Sequence, residues 1–257
     1  MSGALRIALL VACGVLVLLA VAFFLRLPFA VDLWPFPGTT PLTYVFVASI
    51  LLAAAASTLW TILTKNYGAL AGIALDMIAI LGPVGVLALR LGDGGATGFG
   101  IGCLLIAAAG VPMLIWSLRL PLDATNRTPR LVLWSMAAFV AALVYVAYHL
   151  IDRQPNVIFW SITPELSLVM GFTFLGAALY FAYGLVRPYW SNAGGQLAGF
   201  LAYDLVLIVP FLQRFSTVTA ENRISHLVYT AVVVVSGALA AYYLFIAPTT
   251  RLRAQRN

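Results

Sequence analysis

The sequence predicts an all-α membrane protein, a bundle of about eight transmembrane helices, and three observations predict it. Apolar residues fill 63% of the 257 positions and charged residues only 9%, for a mean hydropathy of +1.03. A soluble fold keeps much of its exterior polar, and this chain lacks the residues to do so. Apolar stretches long enough to cross about 30 Å of hydrocarbon recur at 5–25, 42–64, 69–89, 98–118, 131–150, 166–186, 194–212 and 227–247. The basic residues stand in the short breaks between them, where they act as orientation signals.

The first run, Ile7 to Leu25, follows a single Arg6 and has no small-x-small cleavage site after it, so it reads as a retained helix. Trp34-Pro35-Phe36-Pro37-Gly38 is expected to lie along the outer interface or to dip partly into the bundle. Thr40-Pro41 and Thr163-Pro164 resemble an N-cap followed by proline at the first helical position, starting the second and sixth spans. Glu165 adds a carboxylate to the first turn of the sixth. The third and seventh spans open with GALAG (Gly68 to Gly72) and GQLAG (Gly195 to Gly199). Glycines four apart let helix backbones approach closely, which predicts that Gly68, Gly72, Gly195 and Gly199 pack against partner helices at the centre. Cys13 and Cys103 both sit in apolar runs and read as small buried hydrophobes.

With the N-terminus inside, the cytoplasmic segments hold nine basic residues, Arg6, Lys65, Arg119, Arg127, Arg130, Arg187, Arg251, Arg253 and Arg256, against one acid, Asp123. The other side holds five, Arg26, Arg90, Arg153, Arg214 and Arg223, balanced by five acids. That asymmetry predicts both termini in the cytoplasm of a plasma (inner) membrane. Trp34 and Trp160 fall in outer loops and Trp60, Trp116, Trp134 and Trp190 at inner helix ends, so all six are expected near a water–lipid boundary. Arginine over lysine and abundant alanine point to a bacterial source.

The two halves, 1–125 and 126–257, resemble each other. A shift of 127 residues pairs Gly68 with Gly195, Leu70-Ala71-Gly72 with Leu197-Ala198-Gly199, Pro83 with Pro210, Gly110 with Gly237 and Pro121 with Pro248. A shift of 122 to 126 pairs Trp34 with Trp160, Thr40-Pro41 with Thr163-Pro164, and Lys65-x-Tyr67 with Arg187-x-Tyr189. A parallel duplication of a four-helix unit is the expectation, with its axis along the membrane normal.

Asp76 and Asp204 are the two carboxylates well inside spans. A charge at mid-bilayer costs about 2.5 to 3.5 kcal/mol even on the lenient scale, so each must face protein, take a proton or touch water. Asp76 lies four residues beyond Gly72, on the glycine stripe, whereas the residue aligned with it in the second half is Tyr203. A proton- or cation-linked binding site predicts Asp76, Asp204, Tyr203 and Gln196 near the axis, with Ser57 and Thr58 as neighbours. A structural reading has each aspartate hydrogen-bonded locally and locking the halves together.

Several classes are disfavoured. The net charge of +6 is not clustered on any arm or helix face, so no nucleic-acid partner is expected. Lys65 is the single lysine and lies in a loop, which excludes a Schiff base in a span. His149 and His226 sit near the outer ends of the fifth and eighth spans without further ligands, so no metal and no cofactor are assigned. Gly98-x-Gly100-x-Gly102 follows no strand and fails as a nucleotide loop. An intramembrane enzyme would have to be assembled from Asp152, Arg153, Glu165 and the histidines, whose spacing recommends nothing, and no catalytic residue is assigned. The sequence favours a small-solute or proton-linked transporter or channel between repeated halves. Its rival is a non-catalytic subunit or scaffold binding partner helices or lipid. Membrane lipid is the expected partner, and a chain this small leaves room for a homo-oligomer or a partner membrane subunit.

Overall fold

The computed structural model describes residues 3–251, and the basic tail after Arg251, which bears on the side of the C-terminus, lies outside them. Among the described residues eight helices are long and apolar enough to span a membrane. They are α1 (Gly3–Phe24), α3 (Pro41–Thr64), α4 (Leu70–Leu91, entered through a 3-10 turn Tyr67–Ala69), α5 (Gly94–Leu118), α6 (Arg130–Ile151), α7 (Pro164–Val186), α8 (Trp190–Gln213) and α9 (Arg223–Ala241). A short helix α2 (Pro28–Asp32) sits between the first two, and α9 ends in a π turn, Tyr242–Ile246. The chain is an all-α polytopic membrane protein.

Proline at the first position starts α2, α3 and α7, where the missing N–H has no partner to lose. Thr163 caps α7, its hydroxyl accepting from Leu166 N at 3.2 Å. Thr40 does not cap α3, contrary to expectation: its hydroxyl is buried without a partner. Asp93 caps α5 instead of leaving it open, accepting from Ala96 N at 2.6 Å. Lys65 ends α3 in the left-handed conformation at φ 58°, and Gly92 ends α4 at φ 77°.

The helices pack as two strings of four, α5–α4–α7–α6 and α1–α3–α8–α9. Each string takes two helices from each half of the chain, so the halves interlock. α3 and α7 are the most enclosed, α4 and α8 come next, and the other four spans present most of their surface outward. The centre is therefore shared by four helices, not reserved for the two glycine-bearing spans.

Aromatic loops close the end opposite Lys65. Phe36 is fully buried among Val84, Ala88, Cys103, Leu166 and Val169, with Trp34 set edge-on to Phe23, Phe36 and Phe99. In the second half Phe159 meets Phe211 edge-on and Trp160 packs on it at a tilt. Thr39 donates to Ser161 O at 2.6 Å and ties the two loops together. These segments dip into the bundle. Of the tryptophans, Trp134 is 75% exposed, but Trp60, Trp160 and Trp190 are buried among protein side chains. Position at a helix end does not decide whether a ring meets lipid; the helix face does.

At the Lys65 end, the α5–α6 loop is pinned to the start of α8. Trp190 N donates to Asn126 O at 2.8 Å, and Thr128 N donates to Pro188 O at 3.0 Å. Ser191 Oγ donates to Asp123 O at 2.9 Å. Asp123 itself is held below the usual carboxylate range by the hydroxyl and backbone N–H of Thr125.

Candidate functional site

Two close helix contacts build the centre. Between α4 and α7, a side chain at Gly72 would place Cβ 2.8 Å from the Tyr180 ring, and one at Gly176 would lie 2.7 Å from Asp76 Oδ1. Asp76 thus fills the notch left by Gly176, and Tyr180 the notch left by Gly72. Between α3 and α8, Gly199 lies against Ser57 Oγ and, at 2.9 Å from its would-be Cβ, Ala53 O. Ser57 Oγ donates to Gly195 O at 3.0 Å, a side-chain bond of the kind that joins membrane helices without a hydrophobic driving force. Gly68 belongs to the turn before α4 and abuts the Leu120–Leu122 segment, while Tyr183 donates to its carbonyl at 3.2 Å.

Where these contacts meet α6 and α9 there is a cavity of about 340 Å³. Its lining is apolar apart from Ser57, Asp76, Thr173, Tyr180, Gln196, Tyr203 and Tyr229. Gln196 is fully buried; its amide donates to Tyr180 O, and its Oε1 has no partner. Tyr180 lies beside both Ser57 and Asp76. Asp76 lines the cavity, and its buried Oδ1 has no hydrogen-bond partner among the described residues. Tyr203 stacks on Phe200 at 5.8 Å between ring centroids, with 14° between planes.

Asp204 is elsewhere. It is 2% exposed, faces α9, and accepts from Ser236 Oγ at 2.9 Å. It does not line the cavity. The structure therefore brings together Asp76, Tyr203 and Gln196, adds Ser57, and leaves out both Asp204 and Thr58, whose hydroxyl turns back to Ala54 O. One position along a helix rotates a side chain by about 100°. Asp204 is one residue beyond Tyr203, the position that aligns with Asp76, and that offset turns it towards Gly237 of α9, while Asp76 faces Gly176 of α7. Tyr180 went unnoticed in the sequence because a tyrosine on an aromatic-rich helix carries no signal of its own; only its register against Gly72 picks it out.

Both histidines are accounted for by packing. His226 is fully buried, its Nε2 bonded to Phe211 O at 2.9 Å and its ring against Phe159 and Phe215. His149 packs edge-on against Tyr145. Among the described residues no three His, Cys, Asp or Glu side chains come together as a metal site.

Comparison of the chain with family models, curated proteins and solved structures finds no significant match.

Proposed function

We propose that the protein is a membrane transporter for a small solute, with Asp76 as the proton- or cation-linked group of a pathway running between its two halves. The observation that carries this reading is the position of Asp76: a carboxyl in an apolar cavity at the junction of the four central helices, with no hydrogen-bond partner for its buried oxygen. A carboxylate is stable in such surroundings only with a proton or a cation beside it. Asp204 differs in two ways: its Oδ2 is bonded to Ser236, although its Oδ1 is also unpartnered, and it does not line the cavity.

The duplication belongs to the same reading and is supported by the packing. Exchanging α1 with α6, α3 with α7, α4 with α8 and α5 with α9 carries the six main helix contacts into one another. The shift of 127 residues also carries the pair Met77–Gly110 onto Asp204–Gly237, and both pairs are in contact. Two related halves around a mid-membrane site are what alternating access uses.

The test is solvent access. In a background with Cys13 and Cys103 replaced by serine, Asp76→Cys should react with a membrane-impermeant thiol reagent and Asp204→Cys should not. A folded protein unreactive at position 76 from both sides would leave the aspartate dry, and the transport reading would give way to a scaffold that binds partner helices or lipid.

A further inference from the structure

We infer that the solute of this site is a lipophilic organic cation, a substituted amine or onium ion, that reaches Asp76 from the bilayer through a furrow between α6 and α9. The inference rests on the carrier reading for what the site is used for, and on four features of the cavity for what it holds.

The first feature is the opening. α6 packs on α7 and α9 packs on α8, with the two outer helices held apart. Ala138 and Ala142 of α6 and Val228 of α9 line the cavity and are themselves exposed on the lipid-facing side. A second cavity of about 290 Å³ continues the first towards the Lys65 end, sharing Phe139, Phe181, Phe200 and Val232 with it. Together they form a furrow from Val228 to Ala240 on α9, about 18 Å at 1.5 Å per residue. That exceeds the roughly 15 Å of one leaflet's hydrocarbon. A ligand entering there comes from lipid and must dissolve in it.

The second feature is charge. Asp76 is the one ionisable group of either sign that is charged in water among the cavity's lining residues; no Lys, Arg or His joins it. An anionic ligand would meet only repulsion. The third is the carboxyl itself. Its Oδ1 is buried in the Gly176 notch, but Asp76 is only partly buried, lines the cavity and is bonded to no protein donor among the described residues, and an ammonium N–H is the donor it lacks. The fourth is the wall itself. Phe139 and Phe200 meet edge-on at 4.6 Å, Phe181 and Phe200 at 5.2 Å, and Tyr203 stacks on Phe200. Aromatic walls hold quaternary and substituted ammonium groups through their negative faces, more strongly where water is absent. A neutral sugar-like or amino-acid-like solute would leave its own polar groups unpaired against the same walls.

The experiment is equilibrium dialysis of radiolabelled tetraphenylphosphonium against the purified full chain in nanodiscs, at fixed pH. Wild type should bind it saturably, Asp76→Asn at least tenfold more weakly, and Asp204→Asn within twofold of wild type. Ala142→Trp, which plugs the furrow, should weaken binding at least fivefold, whereas Val144→Trp on the outward face of α6 should leave it unchanged. Circular dichroism checks that each variant is folded. Absence of saturable binding by wild type, or equal binding by Asp76→Asn, overturns the inference. So does furrow occupancy by a co-purified membrane helix that the cation fails to displace. Proteoliposome flux separates the two readings. Asp76-dependent binding without flux refutes the carrier and leaves the cation site standing, while proton-coupled flux without cation binding does the reverse.

Discussion

The two buried aspartates should respond differently to the same chemical change, because one is bonded and the other is not. Ser236 Oγ donates to Asp204 Oδ2 at 2.9 Å and also lies 2.6 Å from Val232 O and 3.3 Å from Val233 O, so one hydroxyl proton faces three acceptors. Side-chain hydrogen bonds between membrane helices contribute about 0.6 kcal/mol on average and up to about 1.7 kcal/mol. That is a factor of about 3 to about 16 in the folding equilibrium. A double-mutant cycle between Asp204→Ala and Ser236→Ala, read by steric-trap unfolding in bicelles, should return a coupling in that range. Asp204→Asn should cost little, since the amide can still reach Ser236. Asp76→Asn loses no protein hydrogen bond and should unfold with wild-type energy while losing function. The reasoning is refuted if the Asp204–Ser236 coupling falls within about 0.3 kcal/mol of zero, the scatter of independent sites. It is equally refuted if Asp76→Asn unfolds the bundle.

The remaining predictions follow from packing and from the loops. Gly176→Ala would put a methyl 2.7 Å from Asp76 Oδ1 and 3.0 Å from its carbonyl; overpacking of this kind costs about 1 to 3 kcal/mol, visible as an earlier thermal transition. Gly14→Ala meets nothing within 4 Å and should be neutral or slightly stabilising by the same measurement. Asp123 is held below its ordinary range by Thr125, so its contribution to stability is present above that range and fades as pH falls through the lowered value. The melting difference between wild type and Asp123→Asn should therefore shrink on acidification; a difference that widens would count against the capped loop. Single cysteines at Asn126 and Gln154 should label from opposite sides of sealed vesicles, Asn126 from the cytoplasmic one, and labelling from one side alone would break the eight-span topology.

The spans were legible because each depends on a local property, an unbroken apolar run, and the observed helices differ from the expected bounds only by a few residues at their ends. Polar or glycine-rich first turns explain most of the difference: α8 begins at Trp190 and takes in Ser191 and Asn192 before the apolar stretch. The short helix α2 was missed because five residues, Pro28–Asp32, carry too little periodicity to register. The candidate site was half legible. Asp76, Gln196 and Tyr203 stand out as polar groups within apolar spans, and all three line the cavity. What a sequence does not reveal is which helices leave a gap. The furrow between α6 and α9 exists because each outer helix is committed to a neighbour, and the apolar residues facing it look no different from those facing lipid.

The departures from the proposed internal symmetry are more informative than its matches. Gly72 and Gly199 occupy equivalent places, and each receives a side chain from across the bundle, Tyr180 in one case and Ser57 in the other. Asp76 and Tyr203 are equivalent too, and both line the cavity. Strict symmetry would have put two carboxylates there or none. Two would repel each other in the absence of a divalent or doubly charged ligand, and none would give a dry apolar hole. One carboxyl opposite a tyrosine leaves a single negative charge to be neutralised, with an aromatic face on the other side of it. Asp204, one residue along, has Met77 as its counterpart and Gly237 as its contact in place of Gly110. Asp204 thus stands at a packing position, where Ser236 of α9 bonds its Oδ2 and its Oδ1 stays without a partner. On the proposed reading, a carboxyl bonded by no protein donor, lining a cavity that continues into an apolar furrow, is the asymmetry a monovalent cation would require.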